Sequence, residues 1–138
     1  GLGDVYKRQL LTQCRGFGMS NIMRKSFSEG EIKTPDKVHS STVTLGNVSM
    51  SQVTLQPGWS WSSCIKPLVG TESCQAGHVG VVIKGEMKVK HDDGNEETFK
   101  AGDAYYLAPG HDGWIVGDKE FQSYEFTSDQ KDFGPWKK

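Results

Sequence analysis

The chain has 138 residues, 35% hydrophobic and 24% charged, with a formal net charge of -1, enough for one domain. That balance excludes a broad basic surface, so neither nucleic acid nor an anionic membrane is an expected partner. No apolar run of about 18 residues is long enough to span a bilayer and no cleavable signal is visible, while three cysteines without a CxxC pair suit a reducing, cytoplasmic setting.

The hexamer DVYKRQ at 4–9 resembles the translated read-through of a sequencing-library adapter. Residues 1–18 are therefore read as a disordered scar, with a natural disordered N-terminus as the alternative, and Met19 as the expected start. Residues 19–40 are polar, carry Pro35, and are expected to be a loose arm with room for one helical turn. From residue 41 the apolar period becomes two. STVTL places Val43 and Leu45 on one face, and Gly46-Asn47 has the chemistry of a two-residue hairpin turn. In VSMSQVTL the apolar phase slips between Met50 and Val53, which predicts a β-bulge.

QPGWSWSS reads as a turn and the start of an aromatic strand, and CIKPLVGTESCQAG reads as a loop. HVGVVIKGEMKVKH is the strongest β segment, broken at Gly85, and Asp93-Gly94 centres a tight turn after it. TFKAGDAYYLAP and WIVGD are further strands. In FQSYEF, Tyr124 and Phe126 share a face. The tail at 129–138 has no period. No stretch of ten residues shows helical spacing, so about eight short strands over 41–128 predict an all-β antiparallel sandwich or small barrel.

Some motifs lead nowhere. GVVIKGE lacks the Lys-Ser/Thr and the following helix of a phosphate loop. No GxSxG elbow is present, and Asp92-Asp93 reads as a turn former. His39 and His91 read as surface residues.

HVGVVIKGEMKV followed by DDGNEETFKAGDAYYLAPGHDGW resembles the two-motif core of a cupin, in particular the single-domain, conserved-barrel cupins of bacteria. The likeness runs over roughly residues 50–126: a strand ending at Gly85, a short hairpin, Gly102-Asp103, and Pro109-Gly110-His111. It implies a double-stranded β-helix, or jelly-roll barrel. The family's first motif is a His-x-His, then a Glu, then a Gly. Counting back from Gly85 puts His78 at the Glu position and Glu72-Ser73-Cys74 at His-x-His. In the second motif His111 stands nearest the family's histidine, although strict counting puts Gly113 or Trp114 there.

The resemblance implies a divalent metal (Fe, Mn, Zn or Ni) held by His78 and His111, with Glu72 or Cys74 completing the set. Imidazole and carboxylate suit all four ions, and a thiolate favours zinc or iron. The plainer alternatives stay open: His78 as a hydrogen-bonding residue of a metal-free barrel, His111 bracing its loop through Asp112, Cys74 as a small buried hydrophobe, Glu72 simply solvated. Trp59, Trp61, Tyr105, Tyr106 and Trp114 lie near the motif ends. Packing is the expected role of most of them. Trp114 and one of Trp59 or Trp61 are expected to wall a small-molecule pocket, for which Tyr106 is a further candidate. With His78 inward, Val79, Val81 and Ile83 face outward, which points to a second sheet or a homodimer as their cover. The expected function is small-molecule binding in the barrel, either with metal-dependent isomerase, dioxygenase or lyase-type chemistry or as a metal-free binding or sensing module. The fold does not choose between an enzyme and a binder.

Overall fold

The computed structural model describes residues 21–128; the expected scar at 1–18 and the tail at 129–138 lie outside the described residues. A short helical turn at Phe27–Glu29 is closed by a capping box from Ser26. Nine strands follow: β1 (Glu31–Lys33), β2 (Val38–Leu45), β3 (Val48–Leu55), β4 (His78–Lys84), β5 (Glu86–His91), β6 (Glu96–Lys100), β7 (Ala104–Leu107), β8 (His111–Ile115) and β9 (Phe121–Ser128). Two one-turn helices, α1 (Trp61–Cys64) and α2 (Lys66–Val69), stand between β3 and β4. All strand pairs are antiparallel. They form a six-stranded sheet in the order β1-β2-β3-β9-β4-β7 and a three-stranded sheet in the order β6-β5-β8. The expected all-β antiparallel barrel is what forms. No described helix is long and apolar enough to cross a membrane.

Period two explains which side chains meet. Leu55, Val82, Met87, Val89, Tyr105, Ile115 and Phe121 point between the sheets and join Trp59, Trp61 and Cys64 in one core. Phe99 stacks on Tyr105 with ring centroids 5.1 Å apart. Burial of this apolar area is the main term holding the sheets together.

Three expectations need correction. The hairpin turn at Gly46-Asn47 joins β2 to β3 as predicted, but β3 carries no bulge: its register against both β2 and β9 runs unbroken. The phase slip changes face instead. Val53 and Leu55 face inward, whereas Met50 packs outward beside its cross-strand partners Val43 and Phe126. The polar residues between are satisfied laterally, Ser51 by the Thr42 hydroxyl and Gln52 by the Tyr124 hydroxyl. The irregularity falls in β4, between Val82 and Lys84.

Second, the aromatic strand start and the loop after it are the two helical turns. Ser60 caps α1 by accepting the Ser63 amide, and Pro67 and Gly70 bound α2. Four residues are too few for a helical period to show. Third, the arm is ordered in part. β1 pairs with β2, the Ser41 hydroxyl donates to the Phe27 carbonyl, and the Phe27 ring lies 5.4 Å from that of Tyr124.

Candidate metal centre

Three side chains converge at one wall of the interior. Cys74 comes from the segment before β4, His78 opens β4, and His111 opens β8. One ligand atom from each lies within 4.8 Å of the other two. The Cys74 Sγ is 3.7 Å from His78 Nε2, and the two imidazoles stand edge to face at 5.3 Å.

Backbone pairing places them. The Cys74 amide donates to the His111 carbonyl at 2.7 Å, and the Gly110 amide returns a bond of the same length to the Cys74 carbonyl. Gly110 turns the chain at φ +100°, a region that L side chains rarely adopt. A Cβ there would also meet the Asp92 carboxylate at 3.1 Å. Ser73 donates its hydroxyl to Asp92 at 2.8 Å, so Asp92 ties the cysteine segment to the β5–β6 turn as well as helping to form that turn.

Each histidine has one nitrogen committed. His111 Nδ1–H donates to the Ala108 carbonyl at 2.7 Å, which leaves Nε2 for an ion or for the thiol. The expected brace through Asp112 is not formed. Asp112 accepts the Ser62 and Gly113 amides instead. His78 Nδ1–H donates to Glu125 Oε1 at 2.9 Å, and the Tyr105 hydroxyl donates to Glu125 Oε2 at 2.6 Å. Gly80, opposite Glu125 across the β4–β9 pair, makes room for this arrangement. A Cβ at Gly80 would lie 2.8 Å from the Tyr105 hydroxyl.

The electrostatics follow from these contacts. Burial alone raises the Cys74 thiol, but hydrogen bonds from His111 and His78 outweigh it and hold the group below the usual thiol range. Burial lowers His78, yet its bonds to Cys74 and Glu125 win and raise it. Burial likewise raises Glu125, and the His78 contact reverses this to hold the carboxylate ionised. Tyr105 is raised by burial and by the Glu125 charge, so it stays a hydrogen-bond donor.

Glu72 stands apart from this group. Its side chain is 96% exposed and pairs with Lys66 Nζ at 3.2 Å. The carboxylate beside the histidines is Glu125, on β9, which no sequence motif indicated. The aromatics also divide. Trp59 and Trp61 line the cavity described below, as does Tyr105. Tyr106 is 45% exposed on the opposite face of β7. Trp114 shares the outer side of β8 with Asp112, away from His111, Gly113 and Ile115. One-residue alternation sends neighbours to opposite faces, so of the tyrosine pair only Tyr105 faces in. His91 is engaged at the surface, with Nε2 on the Pro109 carbonyl and Nδ1 toward Asp93.

The donor group opens into a cavity of about 510 Å³ between the sheets, which Trp61, Ile65 and Val69 also line. The residues present fit a metal. A tetrahedral site with Zn–S of about 2.3 Å and Zn–N of about 2.0–2.1 Å needs an S···N edge of about 3.5 Å, and the Cys74–His78 spacing is 3.7 Å. Drawing the remaining spacings, all within 4.8 Å, to about 3.3–3.5 Å would complete the set. His78 backed by a carboxylate, and His111 by a carbonyl, are the outer-shell supports that orient metal-bound imidazoles.

The model of the EutQ-like cupin domain matches residues 48–126. No curated protein matches the sequence. Among solved structures, a protein of unknown function from Rhizobium leguminosarum aligns with TM-score 0.56 at 16% identity, over 79% of this chain and 98% of that one. A cupin-superfamily sugar phosphate isomerase from Silicibacter pomeroyi aligns with TM-score 0.55 at 16% identity, over 77% and 75%. A single-substitution variant of the B. subtilis oxalate decarboxylase aligns with TM-score 0.58 at 17% identity, over 85% of this chain but 32% of that one. Such identities speak for the fold alone. The family match covers more than half of the sequence and takes in His78, His111 and Glu125: the chain belongs to the EutQ-like cupin domain family.

Proposed function

We propose that this cupin binds a small molecule in its interior cavity, next to a divalent ion held by Cys74, His78 and His111. The supporting observation is the convergence of three ligand atoms within 4.8 Å, at a wall of the cavity. The thiolate makes zinc or ferrous iron the best fit of the four ions considered. Bound there, such an ion supplies Lewis-acid polarisation of a ligand oxygen. The chain's own residues do the rest. Glu125 fixes the His78 tautomer, the Ala108 carbonyl fixes that of His111, and Tyr105 holds Glu125 in place. The apolar walls exclude water, which strengthens each polar contact inside. Metal-assisted isomerase, dioxygenase or lyase-type chemistry is the catalytic form of this reading.

A metal-free binding module is the second reading. It is favoured by the Cys74–His78–Glu125 chain of contacts, which satisfies the buried groups without an ion. We further propose that the protein works as a homodimer in a reducing compartment, where Cys64 and Cys74, both free and buried, stay reduced.

Elemental analysis after reconstitution with Fe(II), Zn, Mn and Ni separates the two readings. We expect about one zinc or iron per chain, lost in Cys74→Ser and His111→Ala, and a melting temperature that falls when a chelator strips the ion. A protein that retains none of the four ions, with a melting curve indifferent to chelator, removes the metal and leaves the binding module.

A further inference from the structure

Given that the cavity is the ligand site, its walls say what chemistry fills it. Away from the donor group the lining is mainly apolar, with Val53, Leu55, Trp61, Met87, Val89 and Phe121, and its polar members Thr71, Gln75 and Ser123 are engaged with Ser73 or Tyr105. Among the described residues that line it, none is Lys, Arg or Asp. A phosphate, sulfonate or dicarboxylate would leave water for a space whose two basic side chains, His78 and His111, are already held by Glu125 and the Ala108 carbonyl, which is unfavourable. A bound divalent ion does not change this. It would sit within the donor group, beside Glu125, and leave the rest of the lining without a Lys or Arg.

A second observation is independent of the first. Trp59 lines the cavity and is 8% exposed. Its backbone is satisfied, since its amide donates to the Gln56 carbonyl and its carbonyl accepts from the Ile115 amide. Its indole Nε1–H, however, is buried with no hydrogen-bond partner among the described residues. Buried donors are nearly always paired, and an orphan calls for a specific explanation. The indole has one donor and no acceptor, so what it lacks is an oxygen or nitrogen lone pair brought in from outside the chain.

From these two observations we infer that the cavity takes an uncharged, mainly apolar molecule bearing a hydrogen-bond acceptor, such as a carbonyl oxygen, for the Trp59 indole. The size agrees, because cavities of about 300–1,000 Å³ bury most of a drug-sized ligand. The substrate is then an aromatic or aliphatic ketone, ester or quinone-like compound rather than a sugar phosphate or a small diacid.

Equilibrium dialysis of the full chain, metal-free and zinc-loaded, tests this with probes sharing one apolar body. Methyl naphthyl ketone is neutral with an acceptor, naphthoate is charged, naphthalene has no acceptor, and glucose phosphate is the hydrophilic control. We expect the ketone to bind at least tenfold tighter than the other three in both forms of the protein. Trp59→Phe should bring the ketone down to the level of naphthalene while changing naphthalene less than twofold. Should that variant fail to fold, the indole N–H proton resonance of Trp59 in the wild-type chain serves instead. It should move downfield with the ketone and not with naphthalene. Naphthoate or glucose phosphate binding as tightly as the ketone overturns the inference, as does an indole resonance indifferent to the ketone. The two readings fail separately. Zinc uptake with a preference for the anionic probes keeps the metal and removes this inference. Ketone binding by a chain that takes up no metal does the reverse.

Discussion

Glu125 is the residue on which the donor group turns. It accepts from His78 on one oxygen and from Tyr105 on the other, so it fixes an imidazole and is itself fixed. Glu125→Gln keeps the shape and an acceptor oxygen but loses the charge. Replacing such an outer-shell partner costs about 10- to 100-fold in metal affinity, and we expect zinc affinity to fall by that much in competition with a chromophoric chelator, with the fold intact by circular dichroism. An affinity within twofold of wild type would mean that the carboxylate is only structural. His78, Cys74 and His111 were legible because the motif register fixed on Gly85 and on Pro109-Gly110. Glu125 was not, because it lies 47 positions from His78 and its partnership is made by sheet pairing. One signal was available. If Tyr124 and Phe126 share the outer face of a strand, Ser123 and Glu125, which alternate with them, must face the core, and a carboxylate facing a core needs a partner.

At the level of elements, the His78–Glu125–Tyr105 side of the site is built on three neighbouring strands of the large sheet, β4, β9 and β7. Gly80 is the point where they press closest. A Cβ there would sit 2.4 Å from the Tyr124 carbonyl and 2.8 Å from the Tyr105 hydroxyl, and a backbone carbonyl cannot swing away as a flexible side chain can. Gly80→Ala therefore forces strands apart or displaces Tyr105 from Glu125. Overpacking of this kind costs about 1–3 kcal/mol, to be read as a lower midpoint in urea unfolding, together with a changed near-ultraviolet signal from the tyrosine. A variant as stable as the parent would show that the strands accommodate the methyl group. The hairpins at Gly46-Asn47 and Asp93-Gly94 were legible because turn chemistry is local. The one-turn helices α1 and α2 were not, since Ser60, Pro67 and Gly70 read equally well as loop punctuation. The phase slip in β3 was real but ambiguous. Sequence alone does not show that β3 lies between β2 and β9, where both of its faces find apolar cover.

For the whole molecule, the unequal size of the two sheets matters. The three-stranded sheet packs on the inner face of the six-stranded one, and the outer side of β4 and β7 is left to other cover. Val79 there lies opposite Tyr106, and Val81 opposite Tyr124 and Ala104, which half-buries both valines. Ile83 is 43% exposed and Tyr106 45%. Val79, Val81 and Tyr106 share one face of two neighbouring strands, with Ile83 exposed at the irregular step beside them, and a run of branched and aromatic residues at a sheet surface favours contact with another such surface. A second copy related by a two-fold axis presents the same patch to it, which makes the contact self-complementary. Light scattering at micromolar concentration should therefore give twice the chain mass. Ile83→Lys places a charge in that contact without touching the cavity. It should weaken the dimer at least tenfold while leaving the melting temperature of the separated chain and its ligand binding as they were. A wild-type protein that scatters as a single chain would return Val79 and Val81 to ordinary sheet packing and leave the site, which one chain already completes, unaffected.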